Sequence, residues 1–223
     1  MGILFSKKTK EHKETEEEKE ERIKKEEHCG IGKLFKEKEL MECIETMKKT
    51  LEEWSGYSKA TIIFDSDEME YKELGDKVKG RSHLYFINIS NDGTVFGYYC
   101  NECIKKIDQT IIFQTNTNFI FRLVNPKDLN DSPRRWYFDL RPEHEDYVDC
   151  IKIYENDEHT VYEVNFCGFK IAKKGTNLSY YDHIEECHSP KGIDNDRINY
   201  YKDEWTKSNE HFDTERVIVV EMQ

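Results

Sequence analysis

The sequence predicts a mainly β protein of the α+β class. It should form an antiparallel β-sandwich with a few short helices, preceded by a long charged N-terminal helix. Three observations lead there. Beyond Gly56 the chain is a series of short β-branched and aromatic runs separated by turn-forming clusters. Between Leu34 and Trp54 the residues Leu40, Ile44, Met47, Leu51 and Trp54 recur at steps of four and three, one apolar stripe on a helix. From Lys7 to Glu27 the only large apolar residue is Ile23, in a tract of Lys, Glu, His and Thr.

The elements follow in order. Residues 1–13 hold Met1-Gly2-Ile3-Leu4-Phe5-Ser6, which reads as an N-myristoylation signal on Gly2, followed by Lys7, Lys8, Lys10 and Lys13. An acyl chain beside ammonium groups is a two-part anchor for a membrane surface carrying anionic lipid. Residues 14–33 are a charged low-complexity spacer of high helix propensity. It ends at Cys29-Gly-Ile-Gly-Lys33, where two glycines interrupt a helix. Residues 34–55 are the amphipathic helix. Its stripe of about two heptads is shorter than the three or four that define a coiled coil. Both a helix laid on the following domain and a dimerising coiled coil through Leu40, Ile44, Met47 and Leu51 remain open, the second giving a homodimer.

Residues 56–223 form the β domain. Ala60–Phe64 is a short apolar run before Asp65-Ser-Asp67, expected to be a solvated turn, and Tyr71–Val78 suits a helix. His83–Ile89 and Thr94–Tyr99 flank Ser90-Asn-Asp-Gly93 and read as a hairpin. Further strands are expected at Asn118–Val124, Trp136–Leu140, Val148–Tyr154, Thr160–Val164, Phe169–Ala172 and Arg216–Val220. Asn177–Pro190 and Ile198–Trp205 read as mostly irregular, aromatic-rich connections.

Composition narrows the function. A net charge of -12 repels phosphate backbones, so no nucleic-acid partner is expected. No run of about 18 apolar residues is present, and no basic-then-apolar leader. The expected location is cytoplasmic, peripheral on the cytosolic face of a membrane. There the seven cysteines are expected to be reduced.

The candidate chemistry is sparse. Cys100-Asn-Glu-Cys103 is a CxxC, a pair that can ligate zinc or cycle as a disulfide. No second pair has finger spacing, so no metal and no cofactor is expected. The pair follows a strand in an antiparallel pattern instead of opening a helix, so plain thiols are the leading expectation and a redox pair at Cys100 and Cys103 the alternative. Asp65-Ser-Asp67-Glu-Met-Glu70 lacks the later ligands and glycine of a calcium loop. Gly30-Ile-Gly32-Lys33 lacks the Ser or Thr of a phosphate loop. No GxSxG or HExxH pattern occurs, and no catalytic residue is assigned. Tyr180, Tyr181, Tyr200, Tyr201 and Trp205 form a late aromatic cluster, suited to packing over one end of the sandwich or to a partner.

Several segments together resemble the TLDc domain family. Leu84-Tyr-Phe-Ile through Asp92-Gly-Thr-Val-Phe-Gly97 is similar to its strand, turn and "vFGgY" return strand. Asn118-Phe-Ile-Phe-Arg-Leu123 resembles its "aFlFsL" strand, and Tyr162 to Ala172 its glycine-containing segment. Gly175-Thr-Asn-Leu-Ser179 with Cys187 is similar to "G.S..C", and His211-Phe212 to Val220 to the terminal strand. The resemblance spans roughly Trp54 to Met222 and is nearest to short protist-type members with a charged, coiled-coil-like N-terminal segment. Tyr98, Arg122 and Ile218 depart from the pattern, standing for a glycine, a serine and an acidic residue. The resemblance implies a TLDc-type sandwich, a non-enzymatic role in oxidative-stress protection, and a protein partner such as the vacuolar proton-pumping ATPase. Two other functions remain open: a thiol-based redox protein, and a coiled-coil scaffold.

Overall fold

A computed structural model describes residues 37–113, 117–125, 133–138, 149–164, 168–181, 188–189 and 211–223, with the side chains of 37–45, 138, 188 and 189 outside that set. Helix α1 (Glu37–Ser55) comes first. Strand β1 (Ala60–Asp65), a 3₁₀ turn (Tyr71–Glu73) and helix α2 (Leu74–Val78) follow. The hairpin is β2 (Leu84–Ser90) and β3 (Val95–Cys100). Then come β4 (Ile111–Ile112), β5 (Phe119–Val124), β6 (Arg134–Phe138), β7 (Cys150–Ile153), β8 (Thr160–Val164), β9 (Phe169–Ala172), β10 (Ser179–Tyr181), β11 (His188–Ser189), β12 (His211–Phe212) and β13 (Thr214–Met222).

The strands form two sheets. A seven-stranded sheet has the order β1-β13-β2-β3-β5-β6-β11, and a six-stranded sheet the order β12-β10-β9-β8-β7-β4. Every pairing is antiparallel. The β-rich, antiparallel architecture is therefore as the sequence predicts. No helix among the described residues is long and apolar enough to cross a membrane.

Alternation along the strands sorts side chains into two layers. Leu84, Phe86, Phe96, Tyr98, Ile120, Trp136, Val217 and Val219 of the large sheet meet Ile151, Ile153, Tyr162, Val164, Phe169 and Ile171 of the small one. Two buried phenols tie this interior across the sheets. Tyr162 Oη donates to Asn88 Oδ1 at 2.9 Å, and Tyr98 Oη to Asp149 Oδ1 at 2.9 Å. The opposite face of the large sheet carries Tyr85, Ile87, Ile89, Val95, Tyr99, Phe119, Phe121, Leu123, Val220 and Met222, packed with Met47 and Leu51 of α1. All residues of β2, β3 and β5 are consequently buried. The body has three layers, helix on sheet on sheet.

The hairpin turn is closed by its own side chains. Ser90 Oγ donates to Asp92 Oδ1 at 2.6 Å, Thr94 N donates to the same oxygen at 3.0 Å, and Gly93 takes φ +88°. A left-handed glycine ending a short loop is a common hairpin solution.

Two expectations need correction. Asp65 does not sit in a solvated turn: it is 4% exposed, and Arg216 Nε donates to its Oδ1 at 2.8 Å. β6 begins at Arg134, two residues before the expected Trp136. Within Asn177–Pro190, expected to be mostly irregular, lie the short strands β10 and β11. Strands of two or three residues cannot display a period, so the pattern search passes over them.

The β7–β8 turn supplies a pH test. Asp157 Oδ1 accepts from His159 N at 2.9 Å and from Thr160 N at 2.5 Å, and these backbone donors lower its carboxyl pKa to about 2. A depressed folded pKa gives stability that is present above the unfolded value of 3.8 and lost as pH falls through about 2. Denaturant titrations of Asp157→Asn against the native chain should show a gap that is full near neutrality and closes at the acid end of that window.

Candidate functional site: the seam between α1 and the large sheet

The last turn of a helix leaves carbonyls without intrahelical donors. In α1 these are taken up by the sheet and by the helix's own end. Leu51 O accepts from Tyr85 Oη at 2.9 Å and from Ser55 Oγ at 2.8 Å. Gly56, at φ +76°, donates its N–H to Glu52 O at 2.9 Å. Trp54 O accepts from Arg135 Nη1 at 3.2 Å. The Arg135 guanidinium lies 5.5 Å from the Trp54 ring, 5.3 Å from Phe119 and 5.4 Å from Tyr137, within the range of a cation–π contact. Trp54 meets Phe119 edge-on at 5.9 Å. Burial pushes the Tyr85 and Tyr99 phenols well above their ordinary pKa, so both remain protonated hydroxyls.

A polar chain continues from the end of α1 into the interior. Tyr57 Oη is 3.0 Å from His83 Nε2, and the two rings lie 4.5 Å apart. His83 Nδ1 is 2.9 Å from Asn101 Oδ1. That oxygen only accepts, so Nδ1 is the donor of this bond, and Tyr57 Oη and Nε2 share the other. Asn101 N donates to Asn118 Oδ1 at 2.8 Å, and Asn118 Nδ2 to Asp149 Oδ2 at 2.9 Å. Tyr98 closes the chain on the other oxygen of Asp149. Asn118 and Asp149 are 1% and 3% exposed, so these contacts satisfy groups that water cannot reach. His83 holds φ +57°, a left-handed backbone that few non-glycine residues adopt.

The residues singled out in the sequence fall in different places. Gly2, Lys7, Lys8, Lys10 and Lys13 lie outside the described residues, as do the side chains of Leu40 and Ile44. Met47 and Leu51 are buried against the large sheet, so this half of the stripe is already covered within the chain. Leu51→Ala should therefore cost about 2–3 kcal/mol in an equilibrium unfolding measurement.

Cys100 is 0% exposed, in the layer between the sheets, with Sγ donating to Glu102 O at 3.3 Å. Burial pushes its thiol pKa well up, the reverse of what a reactive thiolate needs. Cys103 is half-buried and, like Cys100, is a free thiol. Among the described residues no three metal-ligating side chains come together. Of the aromatic cluster, Tyr181 stacks on Phe212 at 4.7 Å and meets Phe96 at 5.1 Å, while Tyr180 contacts His211 at 5.7 Å. Tyr200, Tyr201 and Trp205 lie outside the described residues.

Sequence reasoning missed His83, Asn101, Asn118, Asp149 and Arg135. The first four are joined across 17 to 31 positions of chain, and no local pattern marks them. Asn101 did carry a signal, a small amide directly after a strand. Neither a protein-family model nor a curated protein matches the chain.

Proposed function

We propose that this protein is a non-enzymatic, reversibly membrane-anchored adaptor whose body is a TLDc-type sandwich binding a protein partner. The observation that carries the reading is the N-terminal Met1-Gly2-Ile3-Leu4-Phe5-Ser6 with Lys7, Lys8, Lys10 and Lys13. A single myristoyl chain binds bilayers with about 10⁴ M⁻¹, and each nearby lysine adds roughly 1 kcal/mol on an anionic surface. The hold is weak, and the acidic run from Glu14 weakens it further, which suits a reversible attachment.

The antiparallel two-sheet body, the Leu84-to-Gly97 hairpin and the Asn118–Leu123 strand support the TLDc-type assignment. The packing of Met47, Leu51 and Trp54 on that body makes the end of α1 part of the domain that the anchor would tether. The vacuolar proton-pumping ATPase is the partner candidate, implied by the family resemblance.

The test is flotation of lysates on a density gradient. The native chain should rise with the lipid fraction and Gly2→Ala should stay at the bottom. Equal flotation of the two removes the anchor. Purification from detergent-solubilised membranes tests the partner: subunits of the proton pump should co-elute, and their absence removes the pump from the proposal.

A further inference from the structure

Each sheet has two edge strands, and natural proteins blunt such edges to prevent pairing with another chain. Among the described residues, three of the four are blunted by length: β4, β11 and β12 have two residues each. The fourth is different. β1 is six residues, Ala-Thr-Ile-Ile-Phe-Asp, with no proline and no lysine within it. Ala60, Thr61 and Ile62 are exposed, Ile62 at 60%.

The direction of its free backbone groups is fixed by the pairing with β13. Lys59 and Gln223 exchange both backbone hydrogen bonds, at 3.0 and 2.8 Å. In an antiparallel ladder such pairs alternate, so Thr61, opposite Glu221, also faces β13. Ala60 and Ile62, opposite Met222 and Val220, therefore turn their N–H and C=O groups to the open edge. The register shift between Ile62 and Phe64 ends this regular stretch, and Asp65 O accepts instead from Glu68 N and Met69 N.

We propose that β1 is a homodimer interface, in which two copies of this chain pair their β1 strands antiparallel about a two-fold axis through Thr61. The occupant follows from self-complementarity. With the axis at Thr61, Ala60 of one copy lies opposite Ile62 of the other and the reverse, so both outward-facing residues of each strand form hydrogen-bonded pairs. An axis at Ile62 would set Ala60 opposite Phe64, whose backbone groups face β13. The two large sheets then run on as one, and the exposed Ile62 side chain packs beside the other copy's Ala60. This isologous contact closes after two copies. It is independent of the membrane anchor and uses none of the α1 stripe.

The test uses the full chain. Sedimentation should give twice the 26.7 kDa of one chain. Ile62→Lys, a change at an exposed site, should return the monomer. In a non-hydrogen-bonded pair the Cα atoms lie about 4.5 Å apart, within disulfide range. Thr61→Cys treated with diamide should therefore give a covalent dimer. Lys59→Cys, whose two copies lie roughly 14 Å apart in this register, should behave like the native chain in the same oxidant. A monomeric native chain, a dimer unaffected by Ile62→Lys, or a Thr61→Cys variant that does not cross-link would each overturn the proposal. The second of these is what a dimer through α1 would show.

Discussion

Gly97→Ala is expected to destabilise the protein by about 3 kcal/mol, the upper part of the range for overpacked cores. That corresponds to a melting temperature lower by roughly 6–12 °C for a body of this size. Gly97 sits in the middle of β3, between Ile87 of β2 and Phe121 of β5. A Cβ there would run into the carbonyl oxygen of Phe86 and come within 2.7 Å of Phe121 Cζ. The ring could rotate, but the carbonyl belongs to the central ladder and cannot move without β2. Phe121 is 0% exposed and packs over the hydrogen of Gly97, so an aromatic ring fills the space a side chain would take. Shortening Phe121 to alanine should therefore fail to rescue Gly97→Ala, and the double variant should be less stable than either single one. Differential scanning calorimetry of the three variants checks this. A Gly97→Ala protein as stable as the native chain would mean that the β2–β3 register is not as described.

Asp65→Ala should cost about 3 kcal/mol, the lower end of the range for a buried ion pair broken from one side. The Arg216 and Asp65 side chains are 16% and 5% exposed, and Arg216 uses both Nε and Nη2 on the carboxylate. The low end is expected because Asp67 Oδ2 stands 3.4 Å from Arg216 Nε and keeps the cation partly compensated. The pair joins the C-terminal end of β1 to β13, and Ser66 Oγ accepts from Val217 N at 2.9 Å beside it. Removing both partners, as Asp65→Ala with Arg216→Leu, should cost less than the sum of the single changes by at least about 1 kcal/mol, since neither charge is then left alone. Urea unfolding of the four proteins of this cycle measures that coupling, and additive losses would mean that the two groups are solvated separately.

The class of fold was legible because strand periodicity is local. Tyr162-Glu163-Val164 and Phe169-Lys170-Ile171 alternate inward and outward, as a sheet wetted on one face requires. Leu84–Ser90 and Phe119–Val124 are nearly continuous apolar runs, and the structure gives the reason: the large sheet is covered on both faces. That difference between the sheets is present in the sequence, but it becomes readable only once the strands are sorted into two sheets. The stripe of α1 was visible, but a stripe states only that a helix buries one side. Whether Met47 and Leu51 meet a sheet or a second helix is a tertiary matter. The polar chain from Tyr57 to Asp149 was not legible, since each link joins residues made adjacent only by the finished sheets. Asp65 was misread for the same reason. An acidic turn looks solvated until Arg216, 151 positions away, is brought beside it.

The two outer faces of the body are covered differently. The large sheet's outer face is committed to α1, whose end is held by Tyr85, Arg135 and the Tyr57–His83 contact. The helix leads back toward the basic N-terminal segment. An adaptor of this design would place its β body at a membrane without spending the small sheet, where Glu163 and Lys170 point outward.

The central claim is that Gly2 carries a fatty acyl group, and intact-mass spectrometry of the protein purified from its own cells tests it most directly. The account predicts loss of Met1 and a mass increment of one myristoyl group, localised to the N-terminal peptide. An unmodified Gly2 would contradict it.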